Sequence, residues 1–279
     1  MARLKSEFVS GSLYEGREVP QLEAEAGIVL DKVSISFGSG AVHAVADFSL
    51  TVRPGEFVSI VGPSGCGKTT ILNLLAGLLP PKSATGQVLI GAGVPEAGNQ
   101  NVAYMLARDA LAPWRTALSN AELGMEIRGV PPAERRSRAA GLLRQVGLES
   151  FESAFPKALS HGMRQRVALA RTFGLSSRIL LMDEPFGALD AQTKLQLQEV
   201  LLGLWQNERR TVVFITHDLS EAIVMSDRVI VMSARPGRIL ANIPIDLGRP
   251  RSVRALQSDP HYHELYAKVW TKLEEGMAK

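Results

Sequence analysis

The stretch EFVSIVGPSGCGKTTILNLLAGL, Glu56 to Leu78, decides how the rest of the chain is read. A run rich in apolar residues, FVSIV, ends in a glycine-rich turn, and a second such segment, ILNLL, begins three residues after the turn's lysine. The turn sets Gly62, Gly67, Lys68 and Thr69 in the spacing G-x-x-x-x-G-K-[ST], which between a strand and a helix forms a cradle for phosphate. Backbone N–H groups of such a loop converge on an anion, and the helix that follows presents its positive end. Gly62, Pro63, Ser64, Gly65, Cys66, Gly67, Lys68, Thr69 and Thr70 are therefore the candidate nucleotide-binding residues. Lys68 would neutralise the terminal phosphates, and Thr69 would offer its hydroxyl to Mg²⁺.

Further along, ILLMDEP places Asp183 and Glu184 directly after an apolar run. Carboxylates at the end of a buried strand are costly unless a cation meets them. Asp183 reads as a Mg²⁺ ligand, direct or through water, and Glu184 as the base that orients an attacking water. His217 follows the strand-like TVVFIT and precedes DLSEA, where Asp218 and Glu221 have the spacing of a capping box. Ligands of open α/β sheets gather at the carboxyl ends of strands, which aims His217 at the γ-phosphate. The N-K-x-D motif that reads guanine is absent, so adenine is favoured, with Phe37 as a candidate stacking partner.

A second anion-attracting helix start lies in LSHGMRQRVALAR, Leu159 to Arg171. Ser160 is a good N-cap, Gly162 lets the backbone approach a ligand closely, and Val167, Leu169 and Ala170 continue as a helix. One phosphate cluster does not need two such starts from one subunit. The economical reading is a symmetric pair that buries two ATP molecules, each between the loop of one copy and Ser160 and Gly162 of the other.

The bulk properties frame these sites. A chain of 279 residues, 46% hydrophobic, is ample for a packed core. Its 31 basic and 28 acidic residues nearly balance, which argues against a dedicated nucleic-acid binder. The basic cluster ERRSR, 134 to 138, reads as the solvated face of a helix. The single cysteine, Cys66, excludes an internal disulfide and fits a reducing compartment; a thiol reagent is expected to inhibit, with ATP protecting. No signal-like or membrane-spanning apolar run occurs.

Residues 1–26 lack a sustained period and read as a flexible extension. From Ile28 onward IVLDKVSISF, AVHAVADFSLTV and EFVSIV read as strands, and roughly 107 to 172 has the composition of a helical insertion. Strands and helices then alternate through RVIVMS, implying a largely parallel sheet with helices on both faces. Residues 27–250 form one domain and 251–279 a helical extension, in which Leu265, Tyr266, Val269, Trp270 and Leu273 recur at helical spacing. The fold class is α/β: a P-loop nucleotide-hydrolase core with a mixed or parallel sheet, an N-terminal antiparallel β subdomain and an inserted α-helical subdomain.

Together these segments resemble the ATP-binding subunits of ABC transporters over about residues 28 to 245. GPSGCGKTT is similar to Walker A, ILLMDEP to Walker B, LSHGM to the signature LSGGQ, GALD at 187 to 190 to the D-loop and His217 to the switch histidine, while Phe37 falls at the aromatic A-loop position. PWRTALSNAELG, ARPGRI and LGRPR resemble the branch serving nitrate, sulfonate and taurine importers. The resemblance implies an ATP-hydrolysing subunit at the cytoplasmic face of the membrane, acting with a second copy, a separate transmembrane permease and, indirectly, a solute-binding protein. It also implies that Leu111, Pro113 and Trp114 meet the permease. Two departures stand out. His161 and Met163 replace Gly and Gln of the signature, and Ala107 falls where a Q-loop glutamine touches Mg²⁺ and the attacking water, leaving coupling to residues such as Arg108 or Asp109. A soluble ATPase of the same class, or a regulatory module with little hydrolysis, are the alternatives.

Overall fold

A computed structural model describes residues 27–38, 42–80, 82–91, 93–107, 109–187 and 189–277. The expected extension at 1–26, and Arg108, lie outside the described residues. A three-stranded antiparallel sheet pairs β1 (Ile28–Phe37) with β2 (Val42–Val52) on one side and β4 (Ala84–Ile90) on the other. A six-stranded sheet has the order β5 (Val102–Met105), β6 (Ile179–Asp183), β7 (Thr211–Ile215), β3 (Phe57–Val61), β8 (Arg228–Met232), β9 (Ile239–Pro244). Its pairs are parallel except β8 with β9. Both the antiparallel N-terminal sheet and the mixed main sheet match the expected fold class.

The main sheet separates two hydrophobic cores, because successive side chains of a strand point to opposite faces. Phe57 and Val61 of β3 join Leu180, Met182, Val212 and Phe214 in one core. Val58 and Ile60 of the same strand join Ile179, Leu181, Val213 and Ile215 in the other. All five residues of β3 are buried, as expected of a central strand, and its one polar side chain, Ser59, is hydrogen-bonded to Ser226.

Helix α1 (Lys68–Leu75) follows the glycine-rich turn. The insertion supplies α2 (Ala117–Ile127), α3 (Pro132–Gln145) and α4 (His161–Gly174). Then come α5 (Ala191–Glu208), α6 (Leu219–Met225), α7 (Val253–Leu256) and α8 (Pro260–Met277). Most of the ERRSR cluster is exposed on α3, where Arg138 pairs with Glu134 one turn away. In α8, Leu265 and Val269 are buried, but Trp270 is 44% exposed, so the packed stripe is narrower than its spacing suggested.

Two basic residues of LGRPR are structural. Arg251 is buried and donates to the carbonyls of Ile223, Val224 and Ser226, closing the C-terminal end of α6. Arg249 pairs with Asp227 at 2.8 Å and lies over the Trp205 ring at 4.2 Å.

The turn between β8 and β9 is held from three sides. Gly237 donates to the Ala44 carbonyl at 2.9 Å, and its own carbonyl accepts from Ala46 at 3.0 Å, fastening the turn to β2. Ala234 donates to the Gly276 carbonyl of α8 at 3.2 Å. On the inner side Gly237 packs so closely on the phosphate loop that a Cβ there would lie 2.0 Å from the Cys66 carbonyl oxygen.

Candidate functional site

The carboxyl ends of β3, β6 and β7 converge, bringing together residues far apart in sequence. Lys68 begins α1, and its ammonium donates to the carbonyls of Gly62 at 2.8 Å and Pro63 at 2.9 Å. Gly65 and Gly67 have φ of +75° and +100°, left-handed angles that glycine adopts without strain. The Thr69 hydroxyl donates to the Asp183 carboxylate, 3.2 and 3.0 Å from its two oxygens. A hydroxyl beside a carboxylate is a hard-oxygen pair that suits Mg²⁺, which takes few protein ligands and completes its octahedron with phosphate oxygens and water. Burial pushes the Asp183 carboxyl up, against the Thr69 hydrogen bond and the Lys68 charge that pull it down.

Glu184 has φ of +42°, a left-handed conformation that costs a side-chain-bearing residue on the order of 1–3 kcal/mol. Its N–H donates to the Ile215 carbonyl at the end of β7, a bond that holds this backbone in place. Glu184 Oε2 lies 3.2 Å from His217 Nδ1, so the candidate base and the candidate switch residue touch.

Behind them Asp218 caps α6 by accepting from Ser220 and Glu221. The reciprocal half of a capping box is not made. The buried Glu221 carboxylate instead accepts from the Thr216 hydroxyl and pairs with Lys194 at 3.0 Å, because Lys194 of α5 reaches both Glu221 and Asp218. Lys194 thereby joins the first turn of α5 to the segment carrying His217.

A cavity of about 440 Å³ opens over the loop. Phe37, Ser64, Gly65, Gly67, Lys68, Thr69, Thr70, Glu184 and His217 line it, together with Ala44 and Arg235. The last two were not singled out from sequence; a basic residue beside a Pro-Gly turn is a weak signal, and only the strand pairing brings it to the loop. Gly62, Pro63, Cys66 and Asp183 are not among the residues that line it.

Cys66 is only 1% exposed, and burial pushes its thiol up despite the adjacent Lys68. The expected thiol inhibition therefore depends on exposure of this buried side chain. Labelling of the folded chain is expected to be slow with or without ATP and limited by loop opening, read out by thiol-reagent kinetics against the unfolded chain. Fast labelling that ATP blocks would show an accessible thiol.

Ser160 and Gly162 line no part of this cavity. Ser160 caps α4 as expected, accepting from the Met163 N–H at 3.2 Å. The glycine at 162 has an internal reason: an added Cβ would lie 2.5 Å from Thr193 Cγ2, so Gly162 lets α4 start against α5. His161 faces the Arg164 guanidinium at 3.2 Å. Arg164 donates to the Asp109 carboxylate at 2.8 Å, and Arg171 donates to the Asp109 and Ala110 carbonyls, each at 2.8 Å. The segment after Ala107 is thus bound to the helix that LSHGM begins. Leu111 is half-buried, while Trp114 is 76% exposed.

Comparison with known proteins agrees with this geometry. The ABC transporter family model matches residues 45–187. A putative ATP-binding protein of Brucella abortus is 44% identical over 244 residues, covering 86% of this chain and 93% of the relative. The taurine import ATP-binding protein TauB of Chromobacterium violaceum is 44% identical over 259 residues, covering 90% and 98%. Among solved structures, the dimeric post-hydrolysis state of the ATP-binding cassette MJ0796 bound to ADP and Pi has a TM-score of 0.68 and 30% identity, covering 79% of this chain and all of that one. With Walker A, Walker B and the signature in order and the first two joined at one cavity, the chain belongs to the ABC transporter family, as one of its ATP-hydrolysing subunits.

Proposed function

We propose that this subunit powers an importer for a small solute of the taurine, sulfonate or nitrate kind, working as a pair of copies on a separate transmembrane permease at the cytoplasmic face. The solute class follows the taurine-import relatives. No helix among the described residues is long and apolar enough to cross a membrane, so the passage itself is assigned to other chains. The permease would dock near Leu111, Pro113 and Trp114, of which Trp114 offers a large exposed indole. A solute-binding protein would act indirectly, and nucleic acid is no partner.

One observation carries the two-copy mechanism: the capped start of α4 at Ser160 lies outside the cavity that its own chain builds around Lys68. In a facing pair it would complete the partner's cavity, in keeping with the dimeric ADP-bound relative. Within each cavity Phe37 would stack on adenine, and the loop from Gly62 to Thr70 would wrap the phosphates, with Lys68 drawing charge off the terminal one. Thr69 and Asp183 would hold Mg²⁺, which supplies charge neutralisation at the phosphates. Glu184 would orient the water, with His217 beside it and Ser160 and Gly162 of the other copy closing the site. Cleavage would then let the pair reopen. Ala107 carries no group for the Q-loop contact, and the bonds of Arg164 and Arg171 to Asp109 and Ala110 are what tie that segment to the signature helix.

Turnover per chain, measured across a range of protein concentrations, tests the pairing. It is expected to rise with concentration and then level off as copies pair. Constant turnover at all concentrations, with the protein monomeric throughout, would mean that one copy suffices.

A further inference from the structure

We infer that Arg235 is a nucleotide-binding residue that grips the nucleoside half of ATP, the base and ribose, rather than the phosphates. This inference rests on the ATP-site reading above.

Arg235 lines the same cavity as Phe37 and Lys68. Its position follows from strand register. Phe37 pairs with Val42 and Ser36 with His43 across the first hairpin, and Arg235 Nε donates to the His43 carbonyl at 3.3 Å. The guanidinium is thereby tethered at the end of β2 that faces Phe37. Lys68 and Thr69, by contrast, begin α1 and are turned toward the loop carbonyls and Asp183.

The tether is pre-organised, since Gly237 is bonded to β2 in both directions and seated on the Cys66 carbonyl. Among the described residues no carboxylate pairs with Arg235, and the side chain is exposed, so its remaining donors are available to a ligand. A planar guanidinium can stack on a purine and donate to ring nitrogens or ribose hydroxyls, which an ammonium cannot do equally well. Purine between Phe37 and Arg235, with phosphates over Lys68, would place both halves of the nucleotide in this one cavity.

Equilibrium binding of ATP, ADP and inorganic tripolyphosphate to the full chain and to Arg235→Ala tests this. The substitution is expected to weaken ATP and ADP by the same factor, about tenfold, and to leave tripolyphosphate unchanged. Tripolyphosphate has all the phosphates and no nucleoside, so it reports on the loop alone. Equal weakening of tripolyphosphate would overturn the inference, showing that Arg235 acts on phosphate or props the loop; unchanged ATP and ADP binding would overturn it by showing no role. Failure of the unsubstituted chain to bind ATP would instead remove the site reading, and this inference with it. The side chain is exposed, and a thermal melt of the variant matching the parent verifies that folding is intact.

Discussion

Glu184→Gln is expected to lower ATP turnover on the order of 10²–10⁴-fold while ATP affinity changes by no more than roughly threefold. The reason is geometric. Glu184 Oε2 faces the cavity rim 3.2 Å from His217, whereas the phosphate loop owes none of its own contacts to this carboxylate. Glutamine keeps the size and can keep the left-handed backbone, with the N–H bond to the Ile215 carbonyl intact, so only the basic oxygen is lost. An ATP-loaded pair should then accumulate, visible as a shift from monomer to dimer on size exclusion with ATP. Turnover above about one tenth of the parent would remove Glu184 from the chemistry.

Gly237→Ala is expected to disrupt the phosphate loop through a single added methyl group. The new Cβ would sit 2.0 Å from the Cys66 carbonyl oxygen and 2.6 Å from Met232 Cε. Methionine can swing aside, but a backbone carbonyl inside the phosphate loop cannot move alone. Either the turn leaves β2, breaking its bonds to Ala44 and Ala46, or the loop is pushed into the cavity. Overpacking of this kind costs about 1–3 kcal/mol, and the displaced loop should lose about tenfold or more in ATP affinity. Gly203→Ala is the matched control: it lies exposed in the middle of α5 with nothing near its Cβ, and should stabilise by about 0.5–1 kcal/mol. Thermal melts and ATP titrations of the two variants separate crowding at the loop from the generic effect of a methyl group. A Gly237→Ala protein that melts and binds like its parent would mean that the turn and loop can part without loss.

What could be read from sequence, and what could not, divides along the range of the interactions. Gly67, Lys68 and Thr69 act through backbone shape and chemistry within one turn of chain, so their spacing was sufficient. The buried strands β3, β6, β7 and β8 announce themselves by runs that are mostly apolar. Strands β4, β5 and β9 do not: ATGQVLI carries an internal glycine and VAYM has only four residues, so neither yields a clear period. The aim of Arg235 depends on the pairing of β2 with β1 and on the seat of Gly237, neither of which is local. Gly162 shows the converse difficulty. Its residue type was legible, but the crowding by Thr193 that demands glycine comes from another helix. Glu221 likewise had the spacing of a capping box, and the nearby Lys194 redirected it.

The central strand β3 has a consequence for how the molecule breathes. Its side chains are divided between the two cores, Phe57 and Val61 on one side and Val58 and Ile60 on the other. It is also flanked by parallel neighbours on both edges. A strand shared in this way cannot detach by local fraying of either half, since each core must come apart to release it. The phosphate loop is therefore suspended from the last portion of the chain to open.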